Sequence, residues 1–138
     1  MQLSIKIILV DDVQLIRYGF WLKFRKLERL EVIAEAENGK LFLPLLQTLQ
    51  PDIVFMDIKM PVMDGLEATK RALIINPLLK IIALTNHIEE CTVEQMFLLG
   101  VKGFLLKSVE TQEINTAIET VMNGGTYISS ELEPMTTI

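Results

Sequence analysis

Short, almost uninterrupted apolar runs alternate along this chain with longer stretches in which apolar residues recur at helical spacing. Ile5 to Val10 is the first run, followed by a stripe of Val13, Ile16, Phe20, Phe24 and Leu27 that predicts a helix. Glu31 to Glu35 predicts a short second strand, and Asn38-Gly39 marks the turn after it. Lys40 to Gln50 reads as a helix interrupted or bent near Pro44. Asp52 to Met56 is a third strand, ended by a loop containing Met60-Pro61. Asp64 is then placed as the cap of a helix that opens at Gly65 and stops near Asn76-Pro77. Lys80 to Leu84 is a fourth strand, Glu89 to Leu99 a helix closed by Gly100, and Lys102 to Leu106 a fifth strand. Ser108 is the expected cap of a last helix, with Glu110 and Glu113 near its positive end and Gly124-Gly125 closing it.

Continuous apolar runs of strand length suit strands buried on both faces, which is the habit of a parallel sheet. Five strand–helix alternations give an α/β fold, an open doubly wound parallel sheet. Ligands of such sheets sit beyond the carboxyl ends of the strands, where the strand order reverses. The ends of strands one and three would flank that point in the order 2-1-3-4-5, which is a known order for these sheets rather than one read from the residues.

The chain has 138 residues, half of them apolar and 22% charged, with a net charge of -5. That describes one compact domain and excludes general disorder. The acidity argues against nucleic acid as a direct partner, because phosphate contacts need clustered Lys and Arg. Cys91 is the only cysteine, so no internal disulfide can form, and a small helical hydrophobe is its expected role. The N-terminus has no signal-peptide pattern and no apolar run approaches membrane-spanning length, so a cytoplasmic protein without a membrane partner is expected.

Chemistry gathers at the strand ends. Asp11 and Asp12 follow the first run, Asp57 the third, Thr85 the fourth and Lys107 the fifth. Neighbouring parallel strands end on one edge, so these groups converge there. Like charges gathered together persist only if a cation or a proton relieves them, and an all-oxygen acidic pocket suits a hard ion such as Mg2+. Together they suit phosphoryl chemistry: a carboxylate nucleophile, a metal held by acids, a hydroxyl donor and a fixed cation. Taken singly, each residue also has a plain reading. Asp11-Asp12 fit a helix N-cap pair, Asp57 a loop acid, Thr85 a strand-end hydroxyl, Lys107 a solvated lysine, and His87 an exposed loop residue. Trp21 fits partial burial and an interface anchor equally.

Val-Asp-Asp at 10–12, Met-Asp-Ile-Lys-Met-Pro-Val-Met-Asp-Gly at 56–65, Ala-Leu-Thr at 83–85 and Gly-Phe-Leu-Leu-Lys at 103–107 resemble the motifs of response-regulator receiver domains. The resemblance runs from about Ile5 to Gly125. Arg17-Tyr18-Gly19, Asn86-His87 and the stretch from Asn123 to Ile128 resemble the branch with LuxR/NarL-type helix-turn-helix output domains. The resemblance implies a flavodoxin-like (βα)5 sheet and a receiver domain over 1–128, with 129–138 as a tail or the start of an interdomain linker. It implies that Asp57 accepts a phosphoryl group from a sensor histidine kinase. Asp12, Asp57 and the backbone carbonyl of Lys59 would bind Mg2+, with Asp11 acting mainly through water. Thr85 and Lys107 would hold the phosphoryl oxygens. Phe104 falls where the family carries a rotating aromatic, which would turn inward as Thr85 is drawn to the phosphoryl group.

The expected output is transcription regulation through a DNA-binding domain absent from this chain, with a phosphorylation-dependent homodimer as intermediary. A receiver fragment is preferred to a stand-alone receiver, because Thr126 to Leu132 reads as a linker. Gln14, Ile16 and Arg17 are candidates for kinase contact, and Lys59 lies where its charge would alter phosphoryl lifetime. Three rivals stand beside this reading. An aspartyl-phosphate phosphatase of the haloacid-dehalogenase type wants an acid two residues past its nucleophile, where this chain has Lys59. A degenerate receiver acting by protein contact is disfavoured by the intact acidic set. A flavodoxin-like small-molecule binder would want a Ser/Thr/Gly-rich phosphate cradle.

Overall fold

The computed structural model describes residues 4–86 and 90–129, with the side chains of 90–92 left aside. His87 therefore lies outside the described residues, as does the tail from 130 onward, and nothing is said of the Cys91 side chain. Six strands and five α-helices alternate among the described residues: β1 (Ile5–Val10), α1 (Gln14–Arg25), β2 (Leu30–Ala36), α2 (Gly39–Phe42), β3 (Ile53–Asp57), α3 (Gly65–Ile75), β4 (Lys80–Thr85), α4 (Glu90–Leu99), β5 (Gly103–Leu106), α5 (Thr111–Met122) and β6 (Tyr127–Ile128). All pairings are parallel and the order is 2-1-3-4-5-6.

The five-strand order expected from the sequence is therefore incomplete. Tyr127 and Ile128 pair with Gly103 and Phe104 and extend the sheet beyond β5. They fall inside the stretch from Thr126 to Leu132 that the sequence reads as the start of a linker. Two residues carry no periodicity, and the edge of β5 is what makes them a strand.

The sheet is covered on both faces. Ile7, Leu9, Ile53, Phe55, Ile82, Leu84 and Leu105 pack with Phe20 and Phe24 of α1 and with Ile114, Ala117, Ile118 and Val121 of α5. Ile8, Val10, Val54, Met56, Ile81 and Ala83 pack on the opposite side with Phe42, Ala68, Ala72, Val93 and Met96, which belong to α2, α3 and α4. Alternate residues of one strand thus serve two cores, which is why β1 and β3 are apolar at every position but Lys6 until the acid at the end of β3.

The interruption expected near Pro44 is present, and two helix caps differ from expectation. Pro44 ends α2 after one turn, and a 3-10 helix takes over from Leu43 to Gln47. The cap position of α5 is Glu110 rather than Ser108, and no side chain caps it. Val13 occupies the cap position of α1, also without a side-chain bond, so the Asp11-Asp12 pair does not cap that helix in the ordinary way. Asp64 caps α3, accepting from the Glu67 N–H at 2.9 Å. Gly100, with φ of 113°, closes α4 in a conformation that a side chain disfavours.

Candidate phosphoryl and metal site

Parallel pairing brings the carboxyl ends of β1, β3, β4 and β5 to one edge. Asp57 is the last residue of β3, opposite Leu84 of β4, and Thr85 is the last of β4, opposite Leu106 of β5. The Lys107 N–H donates to the Thr85 carbonyl at 2.8 Å, so those two strand ends are joined through the backbone. A cavity of about 240 Å³ opens there, lined by Asp12, Val13, Asp57, Lys59, Thr85, Asn86 and Lys107.

Lys107 is the centre of the charge arrangement. Its Nζ lies 2.7 Å from Asp11 Oδ2 and 3.0 Å from Asp57 Oδ1. Asp11 is fully buried and Asp57 nearly so, while Asp12 and Lys59 are exposed. The Lys107 ammonium is shared by two buried carboxylates, with the exposed Asp12 carboxylate close beside them. Burial pushes the Asp57 carboxyl up from 3.8 to about 7, and the neighbouring Asp11 charge adds to the rise, while Lys107 pulls it back. Lys107 itself is held above the ordinary lysine range. Burial works against its charge, and the hydrogen bonds to Asp11 and Asp57 outweigh burial.

Oxygen atoms of Asp11, Asp12 and Asp57 all come within 4.8 Å of one another. Asp57 Oδ2 is buried with no hydrogen-bond partner. A buried anionic oxygen without a donor is costly unless something binds it. Together with the all-oxygen donor set, that atom fits a hard divalent cation such as Mg2+.

The remaining residues singled out by sequence fall as follows. Phe104 is already inward, 1% exposed, with its ring 6.2 Å from that of Phe97. Trp21 is 36% exposed, stacked on Tyr18 at 5.9 Å, with the Arg25 guanidinium 4.9 Å from its ring centre. Gln14 is exposed, and Arg17 is turned inward onto Glu35 and the Asp11 carbonyl. Sequence reasoning assigned no positioning role to Arg17 and none to Gly65, whose N–H donates to the Ile58 carbonyl at 2.7 Å beside the end of β3. Asp64-Gly65 signalled the start of a helix, whereas nothing in the sequence signalled the Arg17 contact.

Over residues 7–119 the chain matches the family model described as Response regulator receiver domain. It is 38% identical over 128 residues to the transcriptional regulatory protein LnrK of Bacillus subtilis (strain 168), a match that covers 93% of this chain and 58% of that protein. Against the response regulator GacA of Pseudomonas aeruginosa the identity is 35% over 128 residues, covering 93% of this chain and 60% of the other. The crystal structure of a two-component response regulator of the LuxR family from Aurantimonas sp. SI85-9A1 superposes with a TM-score of 0.90 at 28% identity, covering 96% of this chain and 94% of that one. The chain spans about three fifths of the length of these curated relatives. No helix among the described residues is long and apolar enough to cross a membrane.

Proposed function

We propose a phosphorylation-activated signalling switch for this chain, which belongs to the response regulator receiver domain family. Asp57 accepts a phosphoryl group from a phosphohistidine of a sensor histidine kinase. One observation carries the reading: the carboxylates of Asp11, Asp12 and Asp57 converge with the Lys107 ammonium at the edge of a cavity that Thr85 also lines. In the transfer an O–P bond to Asp57 forms as the donor N–P bond breaks. The electron pair passes to the imidazole nitrogen, which takes up a proton.

Lys107 balances charge on the transferring oxygens, and the Thr85 hydroxyl, lining the same cavity, donates to them. Asp11, Asp12, Asp57 and the Lys59 carbonyl would hold Mg2+, which when bound supplies positive charge against both the carboxylates and the phosphoryl oxygens. Phe104 transmits the change at Thr85 through β4 and β5 toward the α4–β5–α5 face. Because its ring is already buried, that transmission is a repacking rather than an inward swing.

The receiver occupies residues 1–128, and the residues from 129 onward lead toward an output domain. It acts in the cytoplasm, as a signalling protein rather than a turnover enzyme. Phosphorylation promotes a homodimer and regulates transcription through a LuxR-type DNA-binding domain outside this chain. The names of the relatives, a transcriptional regulatory protein and a LuxR-family regulator among them, support that output.

Intact mass after incubation with acetyl phosphate tests the acceptor, with and without Mg2+, on the wild type and on Asp57→Asn. A Mg2+-dependent gain of one phosphoryl group that the variant lacks is expected. No gain under any condition, with beryllofluoride also failing to bind, would overturn the reading.

A further inference from the structure

The turn between β1 and α1 carries Asp11 and Asp12 into the site without a capping side chain at Val13. Other contacts hold it. The Asp11 N–H donates to the Ala36 carbonyl at 3.0 Å, and the Val13 N–H donates to Asp11 Oδ1 at 2.9 Å. The Asp11 carbonyl accepts from Arg17 Nη1 at 2.5 Å. Arg17 reaches back from the first turn of α1, and Nε of the same guanidinium donates to Glu35 Oε1 at 2.8 Å near the end of β2. Its side chain is only 14% exposed, against 45% for Glu35.

That carbonyl belongs to the rigid peptide joining Asp11 to Asp12. Its direction therefore sets where the Asp12 backbone stands and from which side the Asp12 carboxylate approaches the site. Asp11 has two further restraints on its side chain, from Val13 N–H and from Lys107. Asp12 is exposed, and the peptide that precedes it is tied through Arg17. A surface ion pair serving stability alone would leave unexplained why the second edge of the guanidinium is committed to a backbone carbonyl.

We infer that Arg17, oriented by Glu35, is a positioning residue that holds the Asp11–Asp12 peptide so that Asp12 faces the divalent cation. The inference rests on the phosphoreceiver reading above. Groups that hold a metal ligand in place typically cost tenfold or more in metal affinity when removed.

The test is calorimetric titration of Mg2+ alone into the unphosphorylated wild type, Arg17→Met and Arg17→Lys, with a melting curve for each. Arg17→Met keeps the stem and removes the donors, and its Mg2+ dissociation constant should rise about tenfold while the protein stays folded at the titration temperature. Arg17→Lys should recover part of the affinity, since one ammonium can serve the carbonyl but not the carbonyl and Glu35 together. The Mg2+ concentration that half-saturates phosphorylation by acetyl phosphate should shift by the same factor, with uptake at saturating Mg2+ retained. Unchanged Mg2+ affinity in Arg17→Met would overturn the inference and leave the receiver reading standing. So would a loss that merely tracks the unfolded fraction and that Arg17→Lys does not relieve. A wild type that binds no Mg2+ would overturn the receiver reading itself and this inference with it.

Discussion

A Cβ at Gly65 would stand 2.1 Å from the carbonyl oxygen of Asp57, far inside contact distance. The first residue of α3 thus lies directly against the backbone of the strand end that carries the candidate acceptor. The Gly65 N–H donates to the Ile58 carbonyl at 2.7 Å, and Asp64 caps the same helix through Glu67. The start of α3 is thus packed backbone against backbone on the end of β3.

Gly65→Ala forces that contact apart, because the obstructing atom is backbone and not a flexible side-chain end. Overpacking of this kind costs about 1–3 kcal/mol, and more where backbone must move. Thermal unfolding should show the loss, and phosphorylation by acetyl phosphate should slow because Asp57 is displaced. A melting temperature equal to that of the wild type would show that α3 is free to shift.

Asp57 gives the protein a pH dependence whose sign is fixed by its raised carboxyl. Its ordinary value of 3.8 becomes about 7 in the folded chain. The folded state therefore keeps a proton that the unfolded chain releases between those values. The stability this contributes is whole below about pH 4 and lost as pH rises through about 7. Asp57→Asn removes the dependence, so without divalent metal its stability advantage over the wild type should grow from pH 5 to pH 8, by on the order of a few kcal/mol. Chemical denaturation in a chelating buffer at both values measures it. A gap that does not change with pH would mean that Lys107 alone neutralises the site.

How far the sequence disclosed this arrangement depends on the range of the contacts involved. Ile5 to Val10 and Ile53 to Met56 announce central strands because burial on both faces demands apolar residues at nearly every position. Strand ends then locate Asp11, Asp12, Asp57, Thr85 and Lys107 on one edge. What stayed hidden is tertiary. The pairing of Tyr127–Ile128 needs the β5 edge, and the Arg17 contact needs a helix to fold back over the strand it follows. The Gly65 contact needs α3 to start against β3, for which a helix cap at Asp64 is only a permissive sign. Ser108 had the right chemistry for a cap, yet α5 begins three residues later at Thr111.

Lys107→Met leaves Asp11 and Asp57 buried without their shared ammonium. The variant should lose more stability at pH 8 than at pH 5.5, since the abandoned carboxylates can take up protons at the lower value. Its Asp57 carboxyl should titrate higher still, because Lys107 is what pulls it down. Acetyl phosphate uptake should fall roughly a hundredfold, the usual loss when one donor to developing charge is removed. Uptake near the wild-type rate would remove Lys107 from the chemistry and leave it a structural counter-ion.

Glu113 holds the sixth strand in place. Its Oε2 accepts from the Tyr127 hydroxyl at 2.8 Å and from the Ser129 hydroxyl at 3.0 Å. Backbone pairing adds little for so short a strand: Tyr127 N–H donates to the Lys102 carbonyl and Ser129 N–H to the Phe104 carbonyl, both at 2.9 Å. Two residues of strand are marginal alone, so the side-chain latch decides whether β6 stays docked. Glu113→Ala removes the acceptor for both hydroxyls at a cost of about 1–2 kcal/mol, concentrated in this segment. Hydrogen exchange should therefore accelerate at Ser129 by roughly tenfold, while the amides of β1 and β3 keep their protection. Tyr127→Phe removes one of the two bonds and should produce about half the effect in free energy. Uniform acceleration across the sheet in Glu113→Ala would mean that β6 unfolds only with the whole domain. Local acceleration would establish the latched segment as a separable element, whose Ser129 N–H donates to the carbonyl of Phe104 three residues before Lys107.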